Sequence, residues 1–298
     1  MSDKINILLI GGNGWIGGHM TPILENNGFN VLSVSGLRAD DVDAVEKALD
    51  ELEPAPTRVL TLAGRTHGPG FTTIDYLEQP GKLVENVRDN LFGPIVLAQA
   101  CAKRKIHFTY MGTGCIFNAN EPNKAELYTE ESDPDFFGSS YSIIKGFTDR
   151  LMRAMNTDTA LNVRIRMPIT SDMSDRNFIS KITKYENICS IPNSMTVLPT
   201  LLPIMCDMIA KGRTGTINLV NPGCIAHNEI LEMYKQHVDP SFTWKNFTIE
   251  EQNKILLSKR SNNVLDTTKL EAWYPDVPNI HNAVENIMKS IASVKFST

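Results

Sequence analysis

Ile5-Asn-Ile-Leu-Leu-Ile-Gly-Gly-Asn-Gly-Trp-Ile-Gly17 decides the fold. Its first half, Ile5 to Ile10, is a short apolar run, as expected of a strand buried on both faces of a parallel sheet. Its second half is glycine-rich. Gly11, Gly14 and Gly17 satisfy GxxGxxG, and Gly12, Gly14 and Gly17 satisfy GxGxxG. Between a strand and a helix, such a loop lets the backbone turn tightly and approach a pyrophosphate lying on the helix N-terminus. Asn13, Trp15 and Ile16 complete the loop and are expected to line the same dinucleotide. A helical pattern runs from Ile16 to Asn26 and is closed by Gly28. A second strand, Asn30 to Ser35, completes a βαβ opening.

The alternation continues. Asp41 to Glu53 reads as a helix stopped by Pro54 and Pro56, and Arg58 to Leu62 as a strand ending in Ala63-Gly64. Leu83 to Arg104 reads as one long helix with Pro94 inside it, and His107 to Gly112 as a strand. Ser140 to Met155 is a helix, and Leu161 to Met167 a strand stopped by Pro168. This pattern predicts an α/β fold: a doubly wound parallel sheet of Rossmann type. Beyond Pro168 the pattern loosens. Residues 1–167 are read as the nucleotide-binding domain and 168–298 as a smaller C-terminal substrate-binding lobe. A strand near 216–220 is placed as a possible return to the main sheet.

With 298 residues, 42% of them hydrophobic, the chain can bury a sizeable core. A net charge of −5 with scattered basic residues argues against nucleic-acid or acidic-membrane partners. The five cysteines are odd in number and widely spaced, so neither a disulfide framework nor a metal cluster is expected. With no signal-peptide pattern and no membrane-spanning run, a cytoplasmic protein is expected.

The second strand ends Ser33-Val-Ser35-Gly36-Leu37-Arg38. An acidic residue at such a strand end would bond ribose hydroxyls, but this chain has Ser35 or Gly36 there. Arg38 behind it suits a 2′-phosphate and selects NADPH over NADH, an ordinary surface arginine being the alternative. Further on, Tyr141 and Lys145 lie four apart in a helical segment and share one face. A nearby ammonium is expected to lower the pKa of the phenol. Thr113 and Cys115 lie two apart at the carboxyl end of a strand, where alternation aims both to one side and where α/β ligands bind. Thr113 can hydrogen-bond a substrate carbonyl oxygen. Cys115 can serve as a base for a C–H beside a ketone, or simply fill space.

The glycine loop, Thr113 and the Tyr141/Lys145 pair together identify a short-chain dehydrogenase/reductase arrangement. Longer blocks narrow the match: Gly14-Trp-Ile-Gly-Gly18, Thr113-Gly-Cys-Ile-Phe117, Arg164-Ile-Arg-Met-Pro-Ile169, Arg176-Asn-Phe-Ile-Ser-Lys181, Ile191-Pro-Asn-Ser-Met-Thr-Val197, His227-Asn-Glu-Ile-Leu-Glu-Met-Tyr234 and Arg260-Ser-Asn-Asn263. Over nearly its whole length the chain resembles the bifunctional UDP-4-keto-6-deoxy-D-glucose 3,5-epimerase/4-reductases. These nucleotide-rhamnose synthases are extended short-chain reductases related to dTDP-4-dehydrorhamnose reductase.

The resemblance implies epimerisation at C3 and C5 and then NADPH reduction at C4, giving UDP-L-rhamnose. By analogy with GDP-fucose synthase, Cys115 matches the epimerising base and Lys181 the acid, with Lys184 as the other candidate. Asn90, Ala63 and Gly64 are implied on the cofactor side, with Met167 and Pro168 near the nicotinamide. Asn177 is implied at the substrate, and Arg260, Asn262 and Asn263 at its nucleotide diphosphate or in the lobe that holds it, a turn being the alternative for the last two. The resemblance also implies a separate 4,6-dehydratase as the source of the ketone, acceptance of UDP or dTDP sugars, and a homodimer. A monofunctional 4-reductase and a non-catalytic NADP-binding subunit are the rival readings.

Overall fold

The structure, a computed structural model, describes residues 4–119, 127–155 and 158–295. In chain order the first half contains β1 (Ile5–Ile10), α1 (Trp15–Asn26), β2 (Phe29–Leu32), α2 (Val42–Glu51), β3 (Arg58–Thr61), α3 (Lys82–Val87), α4 (Gly93–Lys103), β4 (His107–Thr113), α5 (Ser140–Met155) and β5 (Ala160–Ile165). The second half contains β6 (Pro168–Ile169), α6 (Phe178–Ile182), β7 (Asn187–Ile188), β8 (Thr196–Val197), α7 (Leu198–Ala210), β9 (Gly215–Asn218), α8 (His227–His237), β10 (Lys245–Asn246), α9 (Ile249–Ile255), α10 (Thr268–Trp273) and α11 (Ile280–Lys295). Among the described residues, no helix is long and apolar enough to cross a membrane.

Six parallel strands form the main sheet in the order β2-β1-β3-β4-β5-β9. Strand order reverses at β1, so a ligand crevice opens at the carboxyl ends of β1 and β3. Alternate residues of β1 serve opposite faces. Ile7 and Leu9 pack with α1 and α7, while Leu8 and Ile10 pack with α2 and α4. The doubly wound parallel sheet expected from the sequence is therefore present. The return strand is β9 at Gly215–Asn218, slightly earlier than expected, and α7 also packs on the sheet. A second core gathers Ile169, Ile179, Ile188, Val197, Ile230 and Val284 beneath the lobe.

The expected single helix from Leu83 to Arg104 is instead interrupted. Between α3 and α4 the chain takes a wider turn at Arg88–Phe92, of π type. Pro94 has no N–H to give the carbonyl four residues earlier, on Asn90. The Thr148 hydroxyl of α5 donates to that carbonyl at 2.6 Å instead. The wide turn is thus tied to the helix that carries Tyr141 and Lys145.

Candidate active site

The glycine loop folds as its composition requires. Gly11 has φ +85°, and a Cβ there would lie 2.8 Å from the Ala63 nitrogen. A Cβ on Gly17 would lie 2.4 Å from the carbonyl oxygens of both Gly11 and Gly12. Gly14 precedes α1 without a side-chain cap, and the first turn holds no acidic residue. The N–H groups of Trp15 and Ile16 are thus left to an anion, which fits the pyrophosphate of a dinucleotide. The Trp15 indole N–H donates to Asp172 at 3.0 Å, joining this loop to the lobe. Asn13 is exposed in the same loop.

Arg38 follows β2, half exposed, and its guanidinium pairs with Asp40 at 2.7 Å, with Asp89 at 3.9 Å. Asn90 is buried. Its amide oxygen accepts from the Arg65 N–H at 2.9 Å, and its amide nitrogen donates to the Arg65 carbonyl at 2.8 Å and to Asn86 at 2.9 Å. It holds the Ala63-Gly64 turn in place from behind.

Thr113, Cys115, Tyr141 and Lys145 come together at the carboxyl end of β4. Thr113 and Cys115 lie beside the Tyr141 phenol, with Cys115 packed against the cluster that holds it. Strand alternation does not bring Cys115 there, because β4 ends at Thr113. A turn does so: the Cys115 N–H donates to the Thr113 Oγ1 at 3.0 Å. Tyr76, Leu77, Phe71 and Ile74 wall the group in. The start of α5 is fixed by Glu78, which accepts from the Ser140 N–H at 2.8 Å. Asn86 donates to the Ser140 hydroxyl at 3.3 Å.

The electrostatics differ from the sequence expectation. Lys145 donates to the Tyr110 hydroxyl and lies 4.5 Å from the centre of that ring. Burial pushes the Lys145 ammonium down to about 7, against the opposing fields of Asp149 and Cys115. Burial and the neighbouring Cys115 push the Tyr141 phenol well up, only partly offset by the Thr113 bond. Without ligand, Tyr141 is therefore held as the protonated phenol rather than poised as phenolate.

A cationic cluster lies where the lobe meets the sheet. Lys181 on α6 is partly buried, and its ammonium is depressed first by burial and then by Arg176 and Arg260. Arg176 donates to the His67 Nδ1 at 2.8 Å, and burial with the cations Arg176, Arg65 and Lys181 pushes His67 down. Arg260 pairs with Asp75 at 2.7 Å. Lys184 is exposed and paired with Asp175. Of the two candidate lysines, only Lys181 is sheltered within this cluster.

The asparagines expected at the substrate or its lobe make bonds within the chain. Asn177 is fully buried, caps α6 by accepting from the Ile179 N–H at 3.3 Å, and donates to the Thr170 carbonyl at 2.9 Å. Asn263 donates to the carbonyls of Gly114 and Phe117 at 2.9 and 2.8 Å, and Asn262 accepts from Asn193 at 3.0 Å. These three shape the backbone that carries Lys181 and Cys115. Met167, with φ +39°, turns the chain from β5 into the lobe, with Pro168 opening β6. The sequence reading overlooked Tyr110, Asn86, Glu78, His67, Arg176 and Asp75. The Asn86/Asn90 spacing of four on a helix was the one local pattern that could have singled out a pair of them.

The model of the NAD dependent epimerase/dehydratase family matches residues 7–171. The crystal structure of the UDP-rhamnose synthase from Acanthamoeba polyphaga mimivirus superposes with a TM-score of 0.93 at 50% identity, covering 97% of this chain and 100% of that one. The bifunctional dTDP-4-dehydrorhamnose 3,5-epimerase/dTDP-4-dehydrorhamnose reductase of Arabidopsis thaliana is 40% identical over 95% of this chain and 92% of its own. A trifunctional UDP-glucose 4,6-dehydratase/3,5-epimerase/reductase of the same plant is 38% identical over 94% of this chain but only 41% of its own length. With its glycine cradle and its Thr113, Tyr141 and Lys145 in one walled site, the chain belongs to the NAD dependent epimerase/dehydratase family, among the rhamnose-forming 3,5-epimerase/4-reductases.

Proposed function

We propose that the protein converts UDP-4-keto-6-deoxy-D-glucose to UDP-L-rhamnose, acting as 3,5-epimerase and then as NADPH-dependent 4-reductase. The observation that carries this reading is the gathering of Cys115 with Thr113 and Tyr141, its N–H on the Thr113 hydroxyl and its side chain packed against the Tyr141 cluster. Reduction alone needs no thiol. C3 and C5 both flank the C4 ketone, so one set of groups that stabilises enolate charge serves both inversions. Thr113 and Tyr141 hold the C4 oxygen as charge develops. Cys115 takes the proton from C3 or C5 on one face, and Lys181 returns one on the other. Tyr141, protonated in the free chain, then gives its proton to the C4 oxygen. NADPH, when bound, supplies the hydride that C4 receives.

In this reading Gly11, Gly12, Gly14 and Gly17 cradle the pyrophosphate, Arg38 meets the 2′-phosphate, and Lys145 holds the nicotinamide ribose. Arg260 meets the sugar nucleotide from the lobe side. A 4,6-dehydratase supplies the ketone. Five free cysteines suit a cytoplasmic setting. A homodimer is supported by Leu83, Val84 and Phe147, apolar and more than half exposed on α3 and α5. Sedimentation at micromolar concentration checks it, with a monomer contradicting it.

The reaction is tested in deuterated water with UDP-4-keto-6-deoxyglucose and NADPH. UDP-L-rhamnose carrying deuterium at C3 and C5 is the expected product. A reduced D-sugar without deuterium would show a simple reductase, and absence of turnover a non-catalytic protein.

A further inference from the structure

Arg164 and Arg166 lie two apart on the same run of chain, both fully buried. Arg164 is neutralised by Asp149, with Nε at 2.8 Å from Oδ1 and Nη2 at 2.7 Å from Oδ2. Arg166 has no such partner, and no described carboxylate forms an ion pair with it. Its five N–H groups go to neutral acceptors: Gly114 O at 2.9 Å, Ser261 Oγ and Ser261 O at 3.1 Å each, Ser194 O at 3.3 Å and Asn193 Oδ1 at 2.6 Å. An unpaired buried guanidinium is costly, and arginine does not escape that cost by losing its proton. Such a charge is retained where a nearby anion forms during work.

The candidate anion is next door. Gly114, whose carbonyl Arg166 grips, precedes Cys115, and a Cβ on Gly114 would lie 3.0 Å from the Arg166 Cγ and Cδ. Cys115 is also the acidic group whose field acts on Arg166. The other titratable groups facing Cys115 are Tyr141 and Lys145 on α5 and Tyr76 in the 74–78 turn. Lys145 is poorly suited as the counter-ion, because burial drives it toward the neutral amine. We propose that Arg166 is a positioning residue that holds the Cys115 turn in place and supplies the positive field in which the thiolate forms. The asymmetry between Arg164 and Arg166 then has a purpose: one charge is cancelled for stability, the other kept open for the thiol.

This inference rests on the reading of Cys115 as the epimerising base, yet it is tested without substrate. In the full chain, iodoacetamide alkylation of Cys115 is followed by peptide mass spectrometry, near pH 7 and at about pH 9.5, on either side of an ordinary thiol. Asn193→Asp places a carboxylate of the same shape against Arg166, cancelling its field at the cost of the amide bonds to the Ile191 carbonyl and Asn262. The near-neutral rate is expected to fall about tenfold, with the alkaline rate within about threefold of the parent chain. Arg166→Gln is expected to follow the same pattern, and Arg166→Lys to keep most of the near-neutral rate. An unchanged near-neutral rate in folded Asn193→Asp overturns the proposal. Equal loss at both pH values overturns it too, since that reports altered access. If the Arg166 variants do not fold, Asn193→Asp decides alone. A failure here leaves the reaction itself standing, because that is judged by deuterium in the sugar.

Discussion

Thr113, Tyr141 and Lys145 are carried by β4 and α5, in the sheet and on the helix packed against it. Cys115 and Lys181 are carried differently, one on a turn beyond β4 and the other on α6, a helix of five residues in the lobe. Many hydrogen bonds converge on the first set: Glu78 and Asn86 fix the start of α5, and Thr148 ties its middle to the Asn90 carbonyl. The second set is positioned by asparagines, with Asn263 gripping the Cys115 turn and Asn177 capping α6. The proposed reducing half is therefore built into the rigid sheet layer, and the proposed epimerising half is added at its rim. In this reading, a turn and one short helix add the second reaction to a scaffold of reductase type.

Outside the Cys115 and Tyr141 pair itself, the largest effect expected from testing this division is on Lys181. Lys181→Gln should slow deuterium entry at C3 or C5 by about a hundredfold, the usual worth of a positioned acid, with reduction of a ready-made L-rhamno ketone nearly intact. Equal loss in both assays would place Lys181 in both halves. Asn90→Ala comes next. It removes the fastening of the Ala63-Gly64 turn and leaves Arg65 backbone groups unpaired, at a cost of about 2 kcal/mol in urea unfolding. It should also raise the KM for NADPH more than it lowers kcat.

Lys145→Met should act in the opposite direction on stability. The Lys145 ammonium falls to about 7 in the folded chain, against about 10.4 when exposed. Between those values the unfolded chain holds a proton that the folded chain has shed, so this group makes stability rise with pH across that window. Below it, the buried charge is carried at full cost. The methionine variant should therefore be more stable near pH 6 by about 2 kcal/mol and show a flatter rise toward pH 10, while losing reduction. Urea midpoints against pH check it. The smallest effect is expected at exposed Lys184, where Lys184→Gln should change either reaction by less than about twofold.

The rigid half was the more legible. A glycine loop, a strand end and a Tyr-Lys pair at helical spacing are local patterns, and the sheet order follows from their alternation with helices. The wide turn at Arg88–Phe92 was not legible, because it depends on Thr148, 58 residues from the carbonyl it satisfies. The lowered Tyr141 phenol failed for a related reason: Lys145 turns to Tyr110, 35 residues away in sequence, and burial then dominates. For Asn177, Asn262 and Asn263 the resemblance marks residues around a site without separating contact from support, and the bonds they make are those of support. The role of Arg166 was not legible because its acceptors are spread from Gly114 to Ser261.

The division into two halves is tested most directly by crossing two variants with two assays. Cys115→Ala and Tyr141→Phe are each given the L-rhamno ketone with NADPH, and separately the D-gluco ketone in deuterated water without NADPH. Cys115→Ala should keep reduction within about threefold and lose deuterium entry at C3 and C5 by about a hundredfold or more. Tyr141→Phe should lose reduction by about a thousandfold and keep more of its exchange than of its reduction. If Cys115→Ala loses both reactions to the same degree, the thiol is not a dedicated base and the separation into two halves is contradicted.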